Sequence, residues 1–126
     1  MRISINREHS PTHDLWGLVN NAGLSSFGEI EWVTMSTYRR IMEANMFGVL
    51  LGVQSCLPLI RTSKGRIVTT TSGLSRMAVP TRSPYVFTKY ALAGFTDVLR
   101  YEMEAFGVKV RVKNHPLKEE TYFREK

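Results

Sequence analysis

The apolar positions along the chain change period several times, and each change marks an element. Leu15-Trp16-Gly17-Leu18-Val19-Asn20 is a short, nearly unbroken apolar run that ends in Asn21-Ala22-Gly23. It predicts a strand buried on both faces, followed by a turn. Residues 24–34, with Gly28 among them, read as a loop. From about Ser36, the positions Tyr38, Ile41, Met42, Asn45, Val49, Val53 and Leu57 recur at three- and four-residue steps and predict a helix. Thr34 and Ser36 are its candidate N-caps, and Pro58 with Ser63-Lys64-Gly65 is its expected end. Gly65 to Thr71 is rich in β-formers and predicts a second buried strand, with Ser72-Gly73 at its carboxyl end. A loop with Pro80 and Pro84 follows, and Pro84 suits the first turn of a second helix over Tyr85 to Phe106. Leu92, Phe95, Thr96, Leu99 and Met103 form the inner stripe of that helix, and Gly107 is a typical stop. Val108-Lys109-Val110-Arg111-Val112 reads as a third strand.

The order β-α-β-α-β predicts an α/β fold of parallel strands joined by right-handed crossovers. Such sheets bind ligands beyond the carboxyl ends of their strands. Asn21-Ala22-Gly23 and Ser72 fall at those ends, and the start of the second helix brings Tyr85 to the same edge. Residues 1–14 are polar, include Pro11 and lack periodicity, so they read as an irregular lead-in.

Composition narrows the classes. A chain of 126 residues is at most one domain. Its hydrophobic fraction of 43% suffices for a core. The formal charge of +6 raises nucleic acid as a partner. The basic residues are scattered, however, and no run of like charge or aromatic interleaving supports that reading; a cleft for an anionic cofactor tolerates the same balance. Cys56 is the only cysteine, which leaves no intrachain disulfide and no thiolate metal site, and its apolar helical setting marks it as a small core residue. His9, His13 and His115 lack the spacing of a metal pair, so no metal is expected. The first ten residues have no apolar signal core. Met46 to Ile60 is apolar but shorter than the roughly 20 residues of a membrane span, and Gln54, Ser55 and Pro58 interrupt it. A buried or interface helix is expected there.

The candidate chemistry lies in one spacing. Tyr85 stands thirteen residues after Ser72, and Lys89 four after Tyr85. Four residues is one helical turn, so Tyr85 and Lys89 share a face. A phenol ordinarily keeps its proton to about pH 10; an ammonium one turn away favours the phenolate. The pair then suits proton exchange with a substrate oxygen near neutral pH, and a serine ending the preceding strand can hydrogen-bond the same oxygen. Each residue also has a plain structural reading: Ser72 as a turn former, Lys89 as a solvated charge, and Asn45 as a packing residue or the holder of a buried water.

Asn20-Asn21-Ala22-Gly23, Asn45 within a helix, Ser72 and Tyr85-x-x-x-Lys89 together resemble the short-chain dehydrogenases/reductases, in register from about Leu15 to Val112. Leu15 to Gly23 and Arg82-Ser83-Pro84-Tyr85 look most like the branch that holds the D-3-hydroxybutyrate, retinol and 17β-hydroxysteroid dehydrogenases. The resemblance implies the C-terminal part of a Rossmann-like doubly wound parallel sheet, lacking the N-terminal glycine-rich half. It implies Tyr85 as general acid/base, Ser72 as holder of the substrate oxygen, and Lys89 as partner of both Tyr85 and the nicotinamide ribose. Asn45 would anchor a water that links Lys89 to solvent, and Asn20, Ala22 and Gly23 would line the adenosine side of the cofactor cleft. The cofactor implied is NAD or NADP, the substrate a small-molecule alcohol or ketone. The implied partner is a like subunit packed on the two long helices, and the compartments implied are the mitochondrion or endoplasmic reticulum. Against the family pattern, the glycine-rich phosphate turn is missing, and Lys113-Asn114-His115-Pro116-Leu117 replaces the usual Pro-Gly and lid. Residues 15–112 are therefore expected to be a partial dehydrogenase domain, with 113–126 a divergent charged tail. The chain is expected to be the catalytic half of such an enzyme, inactive by itself. Arg76 and Arg82 are candidates to meet a substrate carboxylate.

Overall fold

A computed structural model describes residues 15–115. The expected lead-in over 1–14 and the tail beyond His115 lie outside the described residues. The order is β1 (Gly17–Asn20), α1 (Met35–Met42), a π-helical turn (Glu43–Phe47), α2 (Gly48–Ser63), β2 (Arg66–Ser72), a 3₁₀ turn (Gly73–Ser75), α3 (Ser83–Glu104) and β3 (Lys109–His115). The three strands form one parallel sheet in the order β1-β2-β3, the topology that the alternating pattern predicts.

Leu18, Ile67 and Val110 lie in one row of the register and are buried. With them pack Val49, Val53, Cys56 and Ile60 of α2 and Leu92, Leu99 and Met103 of α3. Each such side chain gains about 1.5–3 kcal/mol by leaving water, so this face of the sheet carries the core. Burial also pushes the Cys56 thiol pKa up, as suits an inert packing residue. The next row, Val19, Val68 and Arg111, lies on the opposite face, where Val19 is 64% exposed. The expectation that β1 is buried on both faces is therefore not met. Within residues 15–115 the helices pack on one face only, and an apolar run cannot report which of its sides is covered.

Three boundaries differ from the sequence expectation. Pro58 sits inside α2, which runs on to Ser63. It is exposed, so the carbonyl it leaves without a helical donor lies on the solvent side, where water satisfies it. Termination comes from the other expected stop alone, Lys64 in the left-handed region (φ 49°) followed by Gly65. A Cβ on Gly65 would stand 2.3 Å from the Trp16 carbonyl oxygen, so only glycine lets the two strands approach at their start. Helix α3 ends at Glu104, with Gly107 at φ 69° just beyond. Strand β3 continues past Val112 to His115, because Thr70, Thr71 and Ser72 pair with Lys113, Asn114 and His115. The first three residues of the expected tail thus belong to the sheet.

The helical run Met35–Ser63 is long and apolar enough, by length and composition alone, to cross a membrane. Its inner side is already occupied. Ile41, Val49, Val53, Cys56 and Ile60 are buried in the fold, and Asn45, fully buried, is hydrogen-bonded to two other segments. The run reads as a sheet-packed helix.

Candidate active site

The carboxyl ends of β1 and β2 and the first turns of α3 meet at one rim of the sheet, and these segments carry Asn20, Ser72, Tyr85 and Lys89. Thr34 caps α1, its Oγ1 accepting from Thr37 N at 3.4 Å. The helix then widens into the π turn at Glu43–Phe47. Such turns insert a residue into the helical ladder and often mark functional positions. Asn45 lies in this turn, fully buried. Its Oδ1 accepts from Leu24 N at 2.7 Å, and its Nδ2 donates to Leu24 O at 2.9 Å and to Thr88 Oγ1 at 3.0 Å. The polar residue on an apolar face is thus a clamp on the loop that leaves β1.

Lys89 is as deeply placed, at 4% exposure. Its Nζ donates to the Thr70 carbonyl at 2.9 Å and lies 5.4 Å from the centre of the Tyr85 ring. Burial lowers the pKa of this ammonium from the ordinary lysine range. A solvated-charge reading of Lys89 is therefore excluded. One N–H goes to Thr70, and an ammonium has two more to offer.

Ser72 ends β2, buried. Its Oγ accepts from Leu74 N at 3.2 Å, capping the 3₁₀ turn, while its carbonyl accepts from Ser75 Oγ at 2.7 Å. The turn-forming role and the candidate catalytic one coexist, since the Oγ–H is left to donate. Tyr85 is half-buried in the first turn of α3, with Pro84 at the start of that helix as expected.

Gly23 joins the two halves of the rim. A Cβ there would meet Asn45 Oδ1 at 3.3 Å and Lys89 Nζ at 3.9 Å. Asn20, Ala22 and Gly23 line a cavity of about 480 Å³ with Asn21, Leu24, Glu43, Ala44 and Gly48. Asn20 is buried, and its Nδ2 finds no partner among the described residues; Thr69, its register neighbour, likewise has an unpartnered buried hydroxyl. Because Asn45 is held from both sides, it cannot yield to a new methyl group. Gly23→Ala is expected to cost about 1–3 kcal/mol by overpacking, read as a lower urea midpoint at unchanged m-value.

The residues ahead of Tyr85 are tied to the β1 loop and to α1. Gly28 N donates to Thr81 O at 2.9 Å, and Tyr38 and Ser83 share a hydroxyl hydrogen bond of 2.6 Å. Arg82 Nη1 donates to Ser25 Oγ at 2.7 Å, and its guanidinium stacks on Phe27 at 3.6 Å. Arg82 thus holds a loop; Arg76 is exposed. Sequence reasoning missed Thr88, Leu24, Thr70 and the Arg82 contacts. Only Thr88 left a signal: it extends the buried stripe of α3 by one step above Leu92.

Comparison with known proteins follows the same lines. A family model described as short chain dehydrogenase matches residues 5–118. The chain is 52% identical over 102 residues to D-beta-hydroxybutyrate dehydrogenase, mitochondrial, of Mus musculus, covering 81% of this chain and 30% of that protein. It is 46% identical over 97 residues to 17-beta-hydroxysteroid dehydrogenase type 6 of Bos taurus, covering 76% of this chain and 30% of the relative. Among solved structures, a short-chain dehydrogenase from Streptomyces avermitilis superposes with a TM-score of 0.75 at 31% identity, over 79% of this chain and 37% of the other. The chain thus spans about a third of the length of the curated relatives it matches.

Proposed function

The chain belongs to the short-chain dehydrogenase family, and from that premise we propose that it supplies the reacting groups of an oxidoreductase acting on a secondary alcohol or ketone. The observation that carries the reading is the convergence of Lys89, the Tyr85 ring, Gly23 and the clamped Asn45 at one rim. Tyr85 gives or takes the proton of the substrate oxygen. Ser72 donates its free Oγ–H to the same oxygen, while the 3₁₀ turn holds that side chain in place. Lys89 puts a positive charge beside the Tyr85 ring as the phenolic oxygen loses its proton. Both amide hydrogens of Asn45 are spent on Leu24 and Thr88, so a water anchored by this residue donates to one of its oxygens.

The residues fit a nicotinamide cofactor, NAD or NADP. Gly23 leaves space beside Lys89 that a methyl group would fill, Lys89 keeps two N–H donors, and the buried Asn20 Nδ2 lacks a partner among the described residues. Asn20, Ala22, Gly23, Tyr85 and Lys89 would hold the group, which supplies or accepts the hydride when bound. The glycine-rich phosphate turn that the resemblance implies does not occur in the sequence, so these residues do not provide a pyrophosphate grip.

The high identity to a protein named for D-beta-hydroxybutyrate supports a small 3-hydroxy acid as substrate, ahead of a steroid or retinoid. The name of that relative also supports a mitochondrial location. Purified enzyme from the native source is expected to oxidise D-3-hydroxybutyrate with a higher kcat/KM than a steroid or retinoid alcohol. A reversed order would sink the substrate assignment, and no nicotinamide-linked turnover of any of them would sink the functional one. The 126-residue chain alone is expected to bind NADH weakly and turn over nothing measurable.

A second reading is favoured by the exposed apolar side chains of the long helices, Leu50, Leu51 and Leu59 on α2 and Phe87, Val98 and Tyr101 on α3. They support packing against a like subunit through those helices, with the chain acting as a non-enzymatic partner of longer homologous subunits. Co-purification with such a chain supports this reading, and a monomer indifferent to it argues against.

A further inference from the structure

Thr88 stands between Tyr85 and Lys89, directly before the lysine, and is fully buried. Its hydroxyl has one proton, which goes to the Tyr85 carbonyl at 2.8 Å. A lone pair of the same oxygen accepts from Asn45 Nδ2 at 3.0 Å. Leu24 already sets the orientation of the Asn45 amide, because its N–H meets Oδ1 and its carbonyl meets Nδ2. That leaves one Nδ2 proton, and Thr88 takes it. Every polar hydrogen on the two side chains is then used. The result is a closed chain from the exit of β1, through the π turn, to the main chain of Tyr85 in the first turn of α3.

We propose that Thr88 is a positioning residue that couples the cofactor-side loop at Gly23-Leu24 to the turn carrying Tyr85. It touches neither substrate nor cofactor in this role. The proposal deepens the functional reading above and rests on it for the meaning of Tyr85. Its structural content stands apart, since the coupling is a property of the folded chain. Other hydrogen bonds between the β1 loop and the residues ahead of Tyr85 lie further out, from Arg82 to Ser25 and from Gly28 to Thr81.

Thr88→Val keeps the shape and removes the hydroxyl, whereas Thr88→Ser keeps the hydroxyl; Thr88→Ala is a second variant should valine impair folding. Amide hydrogen exchange in the 126-residue chain reads the coupling at Leu24 N. Loss of the tie is expected to speed exchange there by about tenfold through local opening, relative to Leu99 in the same helix as Thr88. Serine is expected to restore the wild-type ratio. In the active enzyme, valine is expected to lower kcat several-fold with KM for the alcohol unchanged, again with rescue by serine. An unchanged Leu24 to Leu99 ratio in both the valine and alanine variants, or no rescue by serine, overturns the proposal. The exchange result holds whether or not Tyr85 proves to be the acid/base. A failure of the functional reading shows instead as an active Tyr85→Phe enzyme.

Discussion

Tyr85→Phe is expected to lower kcat by about 10²–10⁴-fold, the usual contribution of a positioned general acid/base, and to leave affinity for the cofactor nearly unchanged. The substitution is clean for structural reasons. The Tyr85 hydroxyl makes no hydrogen bond among the described residues, and the ring is only half-buried at the rim. Phenylalanine fills the same space, so stability is expected to stay within about 0.5 kcal/mol, as for surface changes away from special features. Steady-state kinetics with a secondary alcohol, together with a thermal melt of the same preparation, separates the two effects. A variant that keeps near-normal kcat would remove Tyr85 from the reaction. Equal loss in kcat and in melting temperature would instead say that the ring is structural.

Lys89→Met is expected to impair cofactor binding and rate together, because the ammonium is placed to serve both Tyr85 and the cofactor. Its effect on stability depends on pH. Burial lowers the Lys89 pKa in the folded chain, so the unfolded chain binds that proton more tightly. Stability of the wild type therefore rises with pH across the window between the lowered folded value and the ordinary lysine value near 10.4. Below the folded value the cost of burying the charge is fully present; above the ordinary value it is gone. The methionine variant carries no such proton, and its stability is expected to lack that slope. It also gives up the hydrogen bond to Thr70 O, a loss of about 1–3 kcal/mol if the carbonyl is left dry. Urea denaturation of both proteins across the alkaline range measures the difference. Parallel pH curves would mean that Lys89 is solvated in the folded protein.

Much of this fold was legible because its signals are local. The apolar repeat around Ile41, Val49 and Val53 and the β-rich run before Ser72 mark their elements over a few residues. Gly107 and Pro84 are helix punctuation that works through a single dihedral or a missing N–H. The same locality explains the misses. Pro58 reads as a helix end until its exposed position supplies water for the orphaned carbonyl. Strand β3 reads as ending at Val112, because Lys113 and Asn114 are polar, yet their main chains pair with Thr70 and Thr71. Val19 reads as buried and is not, since coverage of a sheet face depends on where the helices pack.

By itself, the sequence determined the order of elements, the parallel sheet, and the spacing that sets Ser72, Tyr85 and Lys89 at one edge. These follow from periodicities of two and 3.6 residues, which act between near neighbours. Only the tertiary structure decided how the polar groups spend their hydrogen bonds. Asn45 reaches Leu24 across 21 residues and Thr88 across 43, Lys89 reaches Thr70 across 19, and Arg82 reaches Ser25 across 57. A buried donor must find an acceptor, but which one it finds depends on chain segments brought together by packing. That is why the spacing of the reacting groups could be read along the chain, while the clamp that holds them appears only in the fold.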